Sequence, residues 1–405
     1  MDRKLEVLAP AGDMERLTMA VASGADAVYM AGKQFGMRAA AGNFAGDDMR
    51  SAIKYCHDNG VKAHITCNTL PRNKEIDELP EYLEFLQDAG ADAIIAADMG
   101  VITMAKKYAP KVSLHVSTQF GIVNYASANA LYDMGADRVI LARELSFEDI
   151  RELRSRIPKE LEVEAFGHGS MCVSFSGRCL LSNYLTGRDA NRGACAQPCR
   201  WKYHVVEETR PGEYMEITED KGTYLFNSKD MCMIDHLDEF IDSGIDSIKI
   251  EGRMKSAYYT AVVTNAYRHA ADAAIAGRPL EKVWHDEVYK ISHREYSTGF
   301  FYDSEGPGQY YDDAHYFTDS DVIAVVESCD EEGNAVLTQR NKFAVGDKIT
   351  LLTPDDEPVT FDVEYMENGS GEAITQAPHP MMELKMKLPI PTARYSVLRK
   401  DKVKG

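Results

Sequence analysis

The chain has 405 residues, of which 44% are apolar and 27% charged, as expected for a folded globular protein of about two domains. Its net charge of −19 argues against a protein that coats nucleic acid over its whole surface, because such binding depends on neutralising phosphates. Met1–Lys4 lead directly into an apolar stretch at Leu5, and no apolar run is long enough to cross a bilayer. The sequence therefore predicts a cytoplasmic protein without a membrane span.

A short pattern recurs along the first 250 residues: an amphipathic segment, a glycine, a small or apolar residue, an aspartate and then an apolar strand. The glycine favours the left-handed conformation that ends a helix, and continuous apolar runs are typical of parallel strands covered on both faces. The pattern occurs at Gly24-Ala25-Asp26, Gly90-Ala91-Asp92, Gly135-Ala136-Asp137 and Gly244-Ile245-Asp246. It predicts an α/β fold.

Strands and helices alternate in chain order. Eight strands are predicted to begin at Leu5, Ala27, Lys62, Ala93, Ser113, Arg138, Glu162 and Ser247. Helical periodicity predicts helices at 48–58, 78–88, 125–134 and 147–157, and a closing helix at 258–276. Eight such units favour a closed TIM-type (β/α)8 barrel over residues 1–280. No GxGxxG motif follows the first strand, which argues against a dinucleotide-binding fold.

The interval between the seventh and eighth strands is much longer than the others. We predict a cysteine-rich insertion there, at about 167–246, that emerges from the carboxyl face of the barrel, where barrel enzymes carry their chemistry. Residues 281–318 are predicted to form a linker. Alternating apolar positions and a turn at Glu332-Gly333-Asn334 predict a small antiparallel β-barrel domain over 319–405. Such a module either binds a partner or serves as a structural appendix.

Five of the eight cysteines are spaced Cys172-x6-Cys179-x15-Cys195-x3-Cys199-x32-Cys232. In a reducing compartment this clustering indicates metal or redox chemistry, whereas Cys56, Cys67 and Cys329 are predicted to be ordinary small buried residues. Four thiolates hold either a zinc ion or an iron–sulfur cluster. The wide spacing suits the larger cluster, but spacing alone leaves zinc and unligated cysteines open. A nucleophilic pair of Cys172 with His168 also remains open.

The insertion is basic within an acidic chain. Between Cys172 and Tyr203 it contains Arg178, Arg188, Arg192, Arg200 and Lys202 against Asp189. The aromatic residues Phe175, Tyr184, Trp201 and Tyr203 are interleaved with them. Basic and aromatic side chains together favour contact with RNA phosphates and unpaired bases. A solvated loop and core packing are the structural alternatives.

The run Glu164-Ala-Phe-Gly-His-Gly-Ser-Met-Cys-Val-Ser-Phe-Ser-Gly-Arg-Cys179 closely resembles the signature of the collagenase-like peptidase family U32. The resemblance covers nearly the whole chain, with further matches at 6–12, 24–29, 35–38, 43–44, 249–255, 343–354 and 388–399. Despite the family's name, several of its branches are oxygen-independent hydroxylases of RNA or quinone precursors that carry a 4Fe–4S cluster. One barrel with one short β module is the layout of the branch that hydroxylates the wobble uridine of tRNA with prephenate.

The resemblance implies a 4Fe–4S cluster held by Cys172, Cys179, Cys195 and Cys232, with Cys199 as an alternative ligand. It implies tRNA as the substrate, prephenate as a dicarboxylate co-substrate, and room for a paralogous partner subunit. The candidate catalytic residues are His168, Glu164 and Glu251. The candidate substrate-binding residues are Arg38, Asn43, Gln119, Arg178, Arg253 and Lys255, and Arg143 is a further candidate for holding a carboxylate.

Three other functions stay open at this point. One is the family's historical peptidase activity, although the chain contains neither an HExxH nor a GxSxG motif. Another is hydroxylation of a different RNA or of a small aromatic substrate. The third is a non-catalytic RNA-binding or assembly role.

Overall fold

The computed structural model of the protein describes residues 5–37, 42–201, 228–302, 320–354 and 356–402, and the backbone of 205–206 and 214–215. The strands of the first domain and its insertion are β1 (Glu6–Pro10), β2 (Ala27–Ala31), β3 (Lys62–Cys67), β4 (Ala93–Ala96), β5 (Ser113–Val116), β6 (Arg138–Ile140), β7 (Glu162–Ser170), β8 (Val205–Val206), β9 (Tyr214–Met215), β10 (Asp230–Cys232), β11 (Ser247–Ile250) and β12 (Tyr296–Ser297).

Eight of these strands close into a parallel barrel. Strands β1 to β7 pair in sequence order, and β11 pairs with both β1 and β7. The predicted TIM-type barrel is therefore confirmed, and only the first strand begins one residue away from its predicted start.

The helices are α1 (Met14–Ala22), α2 (Gly46–Asp58), α3 (Asn73–Ile76), α4 (Leu79–Asp88), α5 (Met99–Tyr108), α6 (Tyr125–Asp133), α7 (Phe147–Ser155), α8 (Leu181–Thr186), α9 (Leu237–Asp242), α10 (Ala257–Ile275) and α11 (Lys282–Lys290).

The recurring aspartate fastens the amino ends of neighbouring barrel strands. In each copy the aspartate carboxylate accepts a hydrogen bond from a backbone N–H of the adjacent strand. The pairs are Asp26 with Val7 (2.8 Å), Asp92 with Ala63 (2.7 Å), Asp137 with Leu114 (2.8 Å) and Asp246 with Val163 (2.8 Å). The preceding glycine has a positive φ, for example 93° at Gly135. A residue with a side chain resists this conformation, so the pattern is a structural device of the barrel.

Paired charges fill part of the barrel interior. The guanidinium of Arg138 lies 2.6 Å from Glu6 and 3.0 Å from Glu164, and the ammonium of Lys249 lies 2.8 Å from Glu164. Arg138, Glu164 and Lys249 are all buried. The rings of His64 and His115 meet edge to face beside them, with centroids 4.8 Å apart. Because each of these charges has an opposite charge within reach, the interior is a packed ionic core.

The second domain is antiparallel. Its strands are β13 (Ser320–Cys329), β14 (Asn334–Gln339), β15 (Phe343–Ala344), β16 (Lys348–Leu352), β17 (Val359–Asp362), β18 (Met366–Asn368), β19 (Ala373–Ile374), β20 (Gln376–Ala377), β21 (Glu383–Lys387) and β22 (Val397–Asp401). Eight of them form one curved sheet in the order β17-β16-β22-β13-β14-β21-β18-β19, while β15 pairs with β20. The predicted small β domain is confirmed.

The two domains share a buried ion pair. Arg399 of β22 donates to Glu287 of α11, and both side chains are at most 2% exposed. Residues 281–302 thus belong to the barrel domain rather than to a linker, since Trp284 and Val288 are buried and β12 pairs with β10. The remainder of the predicted linker lies outside the described residues. Within the described ranges, none of the helices has the length and apolar character required to cross a membrane.

Candidate active site

The carboxyl ends of the barrel strands form the mouth of the barrel, and the insertion begins there. Strand β7 is longer than the other barrel strands and continues past His168 to Ser170. Strand β10 returns antiparallel to this extension, with Cys232 opposite His168. The returning chain therefore brings Cys232 to the mouth, close to the start of the loop that carries Cys172.

The five cysteines of the insertion are half-buried thiols rather than members of disulfides. Cys172 and Cys179 flank a single turn at Phe175–Gly177, and Cys195 and Cys199 flank Pro198. Burial raises the pKa of the Cys199 thiol, and the adjacent Cys172 and Cys195 raise it further, whereas Arg200 and Arg294 act in the opposite direction. Cys172, Cys195 and Cys199 therefore share one electrostatic environment. Among the described residues, no group of three or more His, Cys, Asp or Glu side chains is arranged to hold a metal ion.

Cys232 lies in a different environment from the other cysteines. Its sulfur is 3.8 Å from the hydroxyl of Tyr267 on α10, and burial raises the pKa of its thiol to about 12. The Tyr267 hydroxyl also donates to the carbonyl of Gly167 at 2.8 Å and accepts the N–H of Met233 at 3.0 Å. Tyr267 thus links Cys232 to the end of β7.

His168 is enclosed by aromatic side chains. It is 1% exposed, its Nδ1 is 3.2 Å from the Tyr267 hydroxyl, and its Nε2 is 3.4 Å from the Tyr296 hydroxyl. Burial lowers the pKa of His168 to about 3, so the ring is neutral near pH 7. The pairing of Cys172 with His168 that the sequence left open would require the His168 ring to turn away from both tyrosines.

A buried carboxylate with several cations lies beside the cysteines. Asp230 and Arg294 form an ion pair at 3.0 Å, with side chains 3% and 2% exposed. Burial opposes the charge on Asp230, but Arg294, Lys255 and Arg200 lower its pKa overall. Burial lowers the pKa of Lys255 to about 8 although Asp230 favours its charge. This part of the mouth is therefore rich in positive charge, which attracts anions and stabilises thiolates.

A second group of polar residues lines the mouth at the ends of β2, β6 and β11. The guanidinium of Arg143 stacks on the Phe166 ring at 3.8 Å and lies 3.9 Å from the carboxylate of Glu251. The Tyr29 hydroxyl donates to the carbonyl of Ile250 and lies 3.4 Å from Glu251. Arg253 is buried and donates to the Thr66 hydroxyl at 3.0 Å. Glu251, Arg143 and Arg253 thus lie at the carboxyl ends of the barrel strands with their side chains held by these contacts.

The other sequence-predicted residues have separate positions. Glu164 is 0% exposed and belongs to the ionic core below the mouth, because Arg138 and Lys249 surround it. Gln119 is half-buried and lies close to the cysteine loop, since its amide nitrogen would be 3.7 Å from a Cβ atom placed on Gly177. The backbone N–H of Asn43 donates a hydrogen bond to the Gly12 carbonyl. The side chain of Arg178 is exposed. Arg38 lies outside the described residues.

Sequence analysis did not identify Asp230, Arg294, Tyr267, Tyr296 or Glu144 as site residues. Only Asp230 had a local indication, since it lies two residues before Cys232. The others come from α10, from β12 and from loops outside the insertion, and their contacts with it exist only after the barrel has closed. No spacing in the sequence indicates such contacts.

The fold and this site define a class: a (β/α)8-barrel protein whose mouth is covered by cysteine-bearing loops. The sequence profile of Peptidase family U32 matches residues 12–310, and that of the Peptidase family U32 C-terminal domain matches 318–399. The chain therefore belongs to peptidase family U32.

Three relatives illustrate the range of names within the family. The chain is 36% identical to tRNA hydroxylation protein P1 of Bacillus subtilis over 405 residues, which cover 99% of this chain and 96% of that protein. It is 35% identical to tRNA hydroxylation protein P of Escherichia coli, covering 93% and 92% of the two chains. It is 33% identical over 309 residues to a collagenase of Porphyromonas gingivalis, covering 73% of each chain.

Proposed function

We propose that this protein is an enzyme that hydroxylates the wobble uridine of tRNA to 5-hydroxyuridine without oxygen, using a 4Fe–4S cluster and prephenate as the hydroxyl donor. One observation carries the proposal. Half-buried cysteine thiols lie in an insertion that begins at the mouth of a barrel, in a chain that aligns over 99% of its length with tRNA hydroxylation protein P1. The name of that relative supports the substrate, and the thiols support the cofactor.

For the cluster we propose Cys172, Cys179, Cys195 and Cys232 as ligands, with Cys199 as the alternative. Soft thiolates are the donors that iron–sulfur clusters prefer. The mutual influence of Cys199, Cys172 and Cys195 fits a shared ligand site, and Arg200 and Arg294 offset the negative charge of thiolates. A bound cluster would supply one-electron chemistry at the mouth of the barrel.

For tRNA we propose contact with the outer surface of the insertion. Tyr184 is 78% exposed, Phe175 51% and Trp201 43%. Aromatic rings left open to solvent on a basic loop are suited to stack on unpaired bases, because every base has a flat face. The exposed Arg178 and Arg188 would neutralise neighbouring phosphates.

For the co-substrate we propose the group at the ends of β6 and β11. Guanidinium groups bind carboxylates through paired N–H donors. The Nε of Arg143 is buried and donates no hydrogen bond to any described residue, while its ring-stacked position beside Glu251 keeps it at the mouth. Arg253 and Lys255 supply further positive charge for a dicarboxylate, and the Phe166 ring supplies an apolar surface.

Peptidase activity is the second candidate, because a relative that covers 73% of the chain is named a collagenase. A cysteine nucleophile needs an imidazole within hydrogen-bond reach. In the described residues both nitrogens of His168 face tyrosine hydroxyls instead. Gelatin cleavage by a metal-free preparation, abolished by Cys172→Ala, would favour the peptidase.

The proposed function is tested by mass spectrometry of nucleosides from a strain that lacks the gene. We expect bulk tRNA to lose 5-hydroxyuridine and its derivatives, and a plasmid copy to restore them. Loss of a hydroxylated nucleoside from ribosomal RNA instead would move the substrate to another RNA. Anaerobically purified protein should contain about four iron and four sulfide ions per chain, and a single zinc without iron would exclude the proposed cofactor.

A further inference from the structure

We propose that Glu144 is a positioning residue that holds the loop from Cys172 to Cys179 in the conformation that binds the cluster. The inference rests on the proposed function for the identity of the bound group. The restraint on the loop itself rests on hydrogen bonds in the structure.

Both carboxylate oxygens of Glu144 bind the same residue of the loop. Oε1 accepts the backbone N–H of Ser176 at 2.7 Å, and Oε2 accepts its hydroxyl at 2.8 Å. Hydrogen bonds to a carboxylate are stronger than those between neutral groups, and two of them fix direction as well as distance. Ser176 is 4% exposed, so water competes little for these bonds.

Ser176 has a backbone conformation that needs such support. Its φ is 44° and its ψ 32°, in the left-handed region that residues with side chains seldom occupy. Such a conformation persists where neighbouring groups hold it. The loop between Cys172 and Cys179 contains one short turn at Phe175–Gly177, so side-chain contacts determine its shape more than strand pairing does.

The residue before Glu144 restrains the other side of Cys172. Arg143 donates from Nη1 to the carbonyl of Ser170 at 3.1 Å, two residues before the cysteine. Two consecutive residues after β6 therefore bracket Cys172, one holding the chain before it and one the chain after it. A barrel strand is a rigid base, so this bracket places Cys172 and Cys179 relative to the mouth.

Residues behind metal ligands commonly change metal affinity by about 10- to 100-fold when they are replaced. We therefore expect Glu144→Ala to lose its cluster to a chelator about 10-fold faster than the wild-type protein. Glu144→Gln keeps one oxygen acceptor and should fall between the two. Glu148→Ala is the matched control, because Glu148 is an exposed carboxylate in the first turn of α7.

A second measurement does not require the cluster. In the metal-free full-length chain, alkylation by iodoacetamide followed by mass spectrometry reports the accessibility of each cysteine. We expect Glu144→Ala to raise the alkylation rates of Cys172 and Cys179 several-fold relative to buried Cys56, at a temperature well below the unfolding midpoints of both proteins. A purely structural role for Glu144 would lower the unfolding midpoint but leave the ratio of alkylation rates in the folded protein unchanged.

The outcomes separate the two proposals. Wild-type protein without iron would remove the proposed cofactor, and the alkylation ratios would still report whether Glu144 restrains the loop. If Cys172 and Cys179 of Glu144→Ala are alkylated at the same rates relative to Cys56 as in the wild-type protein, Glu144 does not restrain the loop, whatever the iron content. If Glu144→Ala does not fold, Ser176→Ala removes one of the two bonds, and unchanged ratios in that variant would also overturn it.

Discussion

The hydroxyl of Tyr267 lies 3.2 Å from Nδ1 of His168 at the barrel mouth. Because this hydroxyl gives its single proton to the Gly167 carbonyl, Nδ1 must donate and Nε2 is left without a proton. Nε2 lies 3.4 Å from the hydroxyl of Tyr296, which donates its proton to the Val288 carbonyl at 2.9 Å. His168 is therefore held as the neutral tautomer with its proton on Nδ1. Its hydrogen bond to Tyr267 connects β7 to α10.

Tyr267→Phe tests this connection. The variant leaves the Gly167 carbonyl and the Met233 N–H without their buried partner, so we expect a loss of about 1–3 kcal/mol in the free energy of unfolding. Urea unfolding followed by circular dichroism measures it. Tyr289→Phe is the control, since Tyr289 is 42% exposed. Equal free energies of unfolding for the two variants would mean that the hydrogen bonds of the Tyr267 hydroxyl do not stabilise the fold.

Cys232→Ala tests the ligand set. As a cluster ligand, Cys232 is needed for iron binding, and its replacement should leave a folded barrel that has lost most of its iron after anaerobic purification. As a core residue, its replacement should cost only about 1–2 kcal/mol of stability and no iron. Cys56→Ala and Cys329→Ala should keep full iron. Iron retained by Cys232→Ala but lost by Cys199→Ala would assign the fourth ligand to Cys199, whose thiol pKa Cys172 and Cys195 help to raise.

Glu164→Gln tests whether this residue is catalytic or structural. Removing the charge leaves the buried ammonium of Lys249 without the partner at 2.8 Å, so we expect a loss of about 3–5 kcal/mol in the free energy of unfolding. The double variant Glu164→Gln/Lys249→Gln should recover part of this loss, because no buried charge is then isolated. Glu160→Gln, at an exposed position, is the control. Full stability of the single variant combined with loss of tRNA hydroxylation would instead make Glu164 catalytic.

The buried histidines predict a loss of stability in acid. Burial lowers the pKa of His64 to about 4 and that of His115 well below its usual value, although Glu6 and Glu164 favour the charged form of His64 and Arg138 and Lys249 oppose it. The unfolded chain therefore binds more protons than the folded protein between about pH 6.5 and pH 4. As the pH is lowered through that window, the free energy of unfolding should decrease by about 1.4 kcal/mol per pH unit for each histidine.

Urea unfolding at a series of pH values measures this slope. His64→Gln should reduce the slope by the contribution of one histidine, whereas His379→Gln, at an exposed position, should leave it unchanged. An unchanged slope in His64→Gln would show that this ring is protonated equally in the folded and unfolded states.

The barrel followed from the sequence because its rules are local. Glycine in the left-handed conformation, as at Gly135, ends a helix within its own turn, and a run such as Ala93–Ala96 is apolar because both faces of the strand are covered. The aspartate that follows each glycine had no explanation until the neighbouring strand was in place, since its partner N–H lies at least 19 residues away. The same limit applied to residues 281–302, whose packing depends on α10.

The sequence by itself determined the strand order, the presence of two domains, the position of the insertion and the five cysteines at the mouth. Only the tertiary structure decided that Cys172 and Cys195 influence the ionisation of Cys199, that Cys232 faces Tyr267, and that Glu144 holds Ser176. The physical reason is separation along the chain: Glu144 and Ser176 are 32 residues apart, and Cys232 and Tyr267 are 35. Their contacts are set by barrel closure and side-chain packing, which leave no periodic pattern in the sequence.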